Sequence, residues 1–336
     1  MNENAPRLPG FEDVEAAAAR IRDKTLRTPL LRAPVLDALT GGTILLKAEC
    51  LQRTGTFKFR GAYNKIVQIP ADRRAGGVVA YSSGNHAQGV AAAAAILKIP
   101  AAIVMPSDAP AIKRERVAAL GGEVILYDRV KEDREAIGRD LAAKRGATLV
   151  PPFDDFDVVA GQGTVGLELM RQARDFGLAP DAVIAPCSGG GLIAGIGLAV
   201  KALSAETHVH TAEPEGFDDM ARSLAAGRPQ RNEKLSGSVC DALLSPEPGR
   251  LTFAINKGRL SPGLVVSDTQ ALEAVAYAFR ELKLVVEPGG AVALAAVLSR
   301  RLECRGRVIA VVLSGGNVDP GLYARAIGAA PQSASD

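Results

Sequence analysis

The segment Thr54-Gly55-Thr56-Phe57-Lys58-Phe59-Arg60-Gly61-Ala62 sets a lysine between two aromatic rings and beside glycines. Apolar surroundings lower an amine's pKa and make it a nucleophile able to form a Schiff base. The competing reading is a lysine whose stem lies over Phe57 and Phe59 while its charge stays in water. A second segment, Ala185-Pro186-Cys187-Ser188-Gly189-Gly190-Gly191 and on to Gly195, follows an apolar run and opens a helical pattern. Glycines let the backbone approach a ligand, and the first N–H groups of a helix favour an anion, so a phosphate belongs here, with the Ser188 hydroxyl as a further donor. Two ligands satisfy this loop equally. One is a monophosphate; the other is a dinucleotide, because Gly189, Gly191 and Ala194 also fit its fingerprint, with Glu213 about 20 residues further on. A Gly-rich turn of no chemical role is a third reading.

Two more polar loops stand at strand ends. Tyr81 to Gly89 contains Ser82, Ser83, Gly84, Asn85 and His86. Backbone N–H groups at a helix start, with Ser and Asn side chains, suit a carboxylate and a phenolic oxygen, although an Asx turn with an N-cap has the same composition. The last apolar run ends in Ser314-Gly315-Gly316-Asn317. Ligands of open α/β sheets bind at the carboxyl edge of the strands, so three such loops in one crevice describe a site.

The elements that must position these loops alternate. Strands are expected over Thr43–Glu49, Gly77–Tyr81, Ala101–Met105, Glu123–Tyr127, Ala182–Pro186, His208–Glu213 and Arg307–Leu313, between Ala-rich helical stretches. That alternation predicts an α/β protein with mainly parallel sheets and helices on both faces. Ser267 and Gln270 are spaced as a capping box before Ala271, Val275, Ala278, Phe279 and Leu282, which predicts one regular helix. Residues 71–155 read as a small inserted α/β domain, 1–70 and 156–330 as parts of a larger one, and 331–336 as a disordered tail. The loop from Gly227 to Pro248 is long for a compact domain, which marks it as functional.

Composition narrows the class. With 336 residues, 47% apolar and 23% charged, the chain is a packed globular protein of ordinary usage. Its 40 basic and 37 acidic residues are dispersed, without the basic stripe that nucleic acid requires. The four cysteines show no CxxC pair, so neither zinc nor a disulfide scaffold is expected, and reduced thiols fit a cytoplasmic protein. Neither the polar N-terminus nor any apolar run indicates a membrane.

Taken together, the Phe57-Lys58-Phe59-Arg60-Gly61-Ala62 box, the Ser82–His86 loop, the Ser188–Gly191 loop and the run Leu313 to Asp319 (LSGGNVD) resemble the fold-type II pyridoxal-phosphate enzymes of the threonine/serine dehydratase family, close to serine racemase and 3-hydroxyaspartate dehydratase. The resemblance covers nearly the whole chain and implies the two-domain, tryptophan synthase β-like fold. It implies pyridoxal 5'-phosphate as cofactor, bound as an imine on Lys58, with Asn85 at the ring hydroxyl, Ser188, Gly189, Gly190 and Gly191 at the phosphate and Ser314 at the ring nitrogen. Ser82, Ser83, Gly84, Asn85 and His86 would hold the substrate carboxylate. Ser83 would face Lys58 across the cofactor, where racemases deliver a proton to the second face. Glu213, the Phe217 carbonyl and Asp219 would hold Mg²⁺ or another cation, with a solvated acidic turn as the alternative. The implied activity is β-elimination on L-threonine or L-serine by a homodimer, with 3-hydroxyaspartate dehydration or serine racemisation as alternatives. A dinucleotide-binding oxidoreductase or a phospholigand sensor would leave Lys58 unexplained. The stretch Ser236–Pro248 departs from the serine racemase pattern, which leaves the substrate open.

Overall fold

The computed structural model describes residues 7–82, 84–109 and 111–328. Ser83 and the 331–336 tail therefore lie outside the described residues. In chain order the strands are β1 (Leu30–Arg32), β2 (Thr43–Ala48), β3 (Val78–Tyr81), β4 (Ala101–Pro106), β5 (Glu123–Tyr127), β6 (Thr148–Leu149), β7 (Ala182–Pro186), β8 (His208–Pro214), β9 (Leu264–Val266) and β10 (Val308–Leu313). They form a six-stranded sheet ordered β1-β2-β10-β7-β8-β9 and a four-stranded sheet ordered β5-β4-β3-β6. Pairing is parallel throughout the named strands except for β1 against β2. β7 is buried along its whole length, and β2 and β10 are buried beyond their first residue, as expected of parallel strands covered on both faces. Three strands escape the sequence pattern, β1, β6 and β9, because two or three residues are too few to show alternation.

The Ser267–Gln270 capping box forms, and the helix Asp268–Tyr277 follows it. The regular period then fails: residues Ala278–Leu282 form a π turn, which rotates the chain and leaves Phe279 43% exposed, edge-on to Tyr323, while Ala278 stays buried. At the other end, the helix Pro320–Gly328 keeps Gly328 helical. Among the described residues, no helix is long and apolar enough to cross a membrane.

The helix Lys58–Val67 is fixed on two sides. Against the helix Phe156–Asp175 the backbones nearly touch, since a Cβ on Gly161 would lie 2.6 Å from the Cα of Gly61. Behind it Arg60 is wholly buried, its guanidinium bonded at 2.8 Å to both oxygens of Glu49 and both of Glu168. Lys47 joins the same cluster through Glu168 at 2.7 Å, Thr28 O at 2.8 Å and Gln172 at 2.9 Å. Two cations and two carboxylates balance, so the charges hold β2 to both helices without an unpaired ion.

Candidate active site

Lys58 is the first residue of its helix, and its side chain enters a cavity of about 630 Å³. The amine donates to Pro152 O at 2.6 Å and lies 5.2 Å from the centre of the Phe57 ring. Burial alone lowers its pKa to about 8, because among the described residues no carboxylate supports the charge. The same cavity is lined by the Ser188–Gly191 loop, by Ser82, Gly84, Asn85 and His86, and by Ser314. The loops singled out in the sequence thus converge on one space, Ser83 aside.

Backbone geometry explains how the glycine loop presents donors. Gly190 has φ +92°, a left-handed conformation, and the helix Gly191–Leu203 begins directly after it. The Gly189 carbonyl accepts from Gly249 N at 3.1 Å and Thr252 Oγ1 at 2.6 Å, and the Gly190 carbonyl from Ala194 N at 2.9 Å and Asn256 Nδ2 at 3.4 Å. With the carbonyls taken up by the helix Arg250–Asn256 and by the helix the loop opens, the first N–H groups of that helix remain for an anion in the cavity. Phe153 closes the loop from the other side; a Cβ on Gly189 would lie 2.4 Å from its ring carbons. These residues fit a phosphate, and the isolated amine fits an aldehyde.

Around Asn85 a network appears that the sequence did not suggest. Its amide donates to Glu287 Oε1 at 2.6 Å and accepts from Asn317 at 2.8 Å, so the carboxamide is fixed with one N–H to spare. Glu287 is buried, and burial together with nearby Asp241 pushes its carboxyl up to about 8. Its signal in the sequence was a lone charge within Val285-Val286-Glu287-Pro288. The Nε2 of His86 lies 2.8 Å from Val150 O; a carbonyl can only accept, so Nε2 carries the hydrogen and donates it. Among the described residues its Nδ1 is buried without a partner, and burial followed by the Lys58 charge lowers its pKa to about 3. The ring is therefore neutral, and only the backbone of His86 can donate to a carboxylate. Lys113 of the helix Ala111–Ala119 pairs with Asp241 at the cavity wall.

The model of the family described as "Pyridoxal-phosphate dependent enzyme" matches residues 21–315. The chain belongs to that family. It is 41% identical over 317 residues to an L-threo-3-hydroxyaspartate ammonia-lyase of Pseudomonas sp, covering 94% of this chain and 98% of that protein. Among solved structures it resembles a threonine deaminase from T.th. (TM-score 0.86, 47% identity, 93% of this chain and 99% of that one) and maize serine racemase (TM-score 0.89, 37% identity, 96% and 97%). The enzyme thus has the fold-type II architecture, uses pyridoxal phosphate and falls in the ammonia-lyase and racemase group. The dinucleotide alternative is set aside, and Glu213 has another place.

Glu213 is fully buried at the end of β8, where Oε1 accepts from Met220 N and Oε2 from Ala221 N and Thr211 Oγ1, all at 2.9 Å. It caps the helix Asp219–Ala226. Burial and the neighbouring Asp219 raise its carboxyl to about 8; burial raises Asp219 to about 7. Among the described residues Asp219 Oδ2 is buried without a partner, and Phe217, two positions before it, is buried as well. Among the described residues no three His, Cys, Asp or Glu side chains cluster as metal ligands, so a cation here would need backbone oxygens as well.

Proposed function

We propose that the enzyme is an ammonia-lyase that converts L-threonine to 2-oxobutanoate and L-serine to pyruvate, releasing ammonia, and that it works in the cytoplasm as a homodimer. The observation that carries this reading is the amine of Lys58, unsupported by any carboxylate, in the cavity that also holds the glycine cradle. Lys58 would hold the cofactor covalently, Ser188 to Gly191 its phosphate, Asn85 its ring hydroxyl and Ser314 its ring nitrogen. Bound pyridoxal phosphate supplies the electron sink for breaking the Cα–H bond. Ser82, Ser83, Gly84, Asn85 and the His86 backbone N–H would orient the substrate carboxylate at the start of the helix Asn85–Leu97. Lys58 would also be the neutral base that takes the α-proton, with the Pro152 carbonyl aiming its amine. Ser314 would meet the ring nitrogen with a neutral hydroxyl in place of a carboxylate, which would favour elimination of the β-hydroxyl.

Glu213, the Phe217 carbonyl and Asp219 complete the reading as a cation site for Mg²⁺. It is supported by the orphaned Asp219 Oδ2 and by two buried carboxylates with raised pKa values.

A second substrate reading, 3-hydroxyaspartate, is favoured by one observation. Lys113, Arg129, Arg134 and Arg231 line the cavity, and among the described residues all but Arg134 have a carboxylate partner. Arg134 lies over the Tyr81 ring at 5.9 Å and is available to a second substrate carboxylate. Product analysis with threonine, serine and 3-hydroxyaspartate, for wild type and Arg134→Gln, separates the two. Threonine turnover indifferent to Arg134→Gln supports the first reading; a preference for 3-hydroxyaspartate that this variant abolishes overturns it.

A further inference from the structure

The long segment 227–248 is closed on itself by one buried side chain. Asn232 is 4% exposed, and every arm of it is used. Its backbone N–H donates to Pro246 O at 2.7 Å, its Nδ2 donates to Ser245 O and to Asp219 Oδ1, both at 2.8 Å, and its Oδ1 accepts from Arg222. Asn232 thereby grips the Ser245–Pro246 peptide from two directions. Ser245 in turn donates its N–H to Ser188 Oγ at 3.1 Å. A hydroxyl has one hydrogen and two lone pairs. With a lone pair held by Ser245, the Ser188 hydrogen is turned away from the segment and toward the cavity that Ser188 lines. The other hand of Asn232 reaches the helix that supports the glycine loop: Met220, next to Asp219, packs where a Cβ on Gly190 would lie, 2.5 Å from its Cε.

We propose that Asn232 is a positioning residue for the cofactor phosphate, acting through Ser245 to orient the Ser188 hydroxyl. The proposal rests on the placement of the phosphate at Ser188–Gly191. Its chemistry is specific, because it concerns the phosphate and neither the aldehyde nor the ring. Without the carboxamide, the Ser245 carbonyl and Asp219 Oδ1 lose their buried donor, the Ser245–Pro246 peptide is released, and Ser188 loses its fixed orientation.

Pyridoxal, which has the aldehyde and ring but no phosphate, separates this role from a general loss of structure. Holoenzyme of wild type, Asn232→Ala and Ser188→Ala is loaded with pyridoxal phosphate or with pyridoxal and diluted into a scavenger of free cofactor, and release is followed by visible absorbance. Asn232→Ala is expected to release pyridoxal phosphate about five- to tenfold faster, the effect of one misdirected hydrogen bond, with pyridoxal release unchanged. Ser188→Ala should show the same selectivity. Equal acceleration for both ligands in Asn232→Ala, or no acceleration where Ser188→Ala shows one, overturns the proposal. If Ser188→Ala is itself unselective, the phosphate placement has failed and the proposal falls with it. Asn232→Ser, which keeps a short donor, gives the same selectivity at smaller amplitude and replaces Asn232→Ala if that variant is not recovered folded.

Discussion

Lys47 is fully buried and Lys58 half-buried at a cavity wall, in elements linked through Glu168 and Arg60, and their surroundings treat them differently. Lys47 lies in a cluster of matched charges: burial lowers its pKa, but Glu49 and Glu168 oppose that shift, and its three hydrogens meet Thr28, Glu168 and Gln172. Lys58 receives a single carbonyl, no carboxylate opposes desolvation, and its pKa falls to about 8. A buried lysine becomes structural when carboxylates accompany it and reactive when they are withheld. The nearby Arg60 shows the same logic, since Glu49 and Glu168 overcome burial and raise its pKa, and burial is likewise outweighed in Glu168, which Arg60 and Lys47 hold below its ordinary value.

Exchanging the two lysines' fates is the strongest way to break this contrast. Lys58→Ala should reduce turnover by roughly 10²- to 10⁴-fold, as loss of a positioned base does, while leaving the melting temperature of the apoenzyme unchanged or raised, because an amine enclosed without a carboxylate is removed. Ammonia release near the wild-type rate would deny Lys58 its role. Lys47→Met should do the reverse, costing about 3–5 kcal/mol in denaturant unfolding by leaving two buried carboxylates to share the single charge of Arg60, with turnover per folded molecule retained. A stable Lys47→Met protein lacking activity would place chemistry in the wrong lysine.

Proton linkage sharpens the comparison. A lysine with its pKa lowered from 10.5 to about 8 is neutral across the interval where ordinary lysines remain charged. Uptake of pyridoxal phosphate by apoenzyme should therefore speed up about tenfold per pH unit below 8 and level off above it. Acceleration continuing to about pH 10, the ordinary lysine range, would mean that Lys58 titrates as an exposed amine.

The smallest effect concerns stability. Glu213 and Glu287, raised to about 8, and Asp219, raised to about 7, bind protons more tightly folded than unfolded. Their contribution is complete below the ordinary carboxyl range and is lost as pH rises through about 7 to 8. The apoenzyme melting temperature should accordingly decline by a few degrees from about pH 5 to about pH 8.5, and Mg²⁺ should restore part of it only at the higher pH. Restoration equal at both pH values would remove the cation from Glu213 and Asp219.

Much of the candidate site was legible because its sequence signals are local. The lysine box, the glycine loop and the Ser82–His86 loop each carry their signal within about ten consecutive residues, and each lies at a strand end or helix start, where backbone donors are exposed. The glycine loop alone does not tell a monophosphate from a dinucleotide, since a helix start serves either, and the match to pyridoxal-phosphate enzymes makes that distinction. Pro152, Phe153, Glu287 and Asn232 were not legible. They meet partners outside their own local motif, such as Lys58 for Pro152 and Asn85 for Glu287, and no periodicity encodes such meetings. The fold behaved similarly: long buried strands were evident, whereas β1, β6 and β9 exist only because a neighbouring strand offers them an edge, and the π turn at Ala278–Leu282 interrupts a helix whose sequence looks continuous.

The central claim is that the lysine deprived of carboxylates holds the cofactor. Borohydride reduction of the holoenzyme, followed by peptide mapping, tests it most directly, because reduction makes the linkage permanent at whichever amine carries it. Pyridoxyl label on Lys58 and none on Lys47 is the result expected; label on any other lysine, or a holoenzyme that loses all its cofactor after reduction, would contradict it.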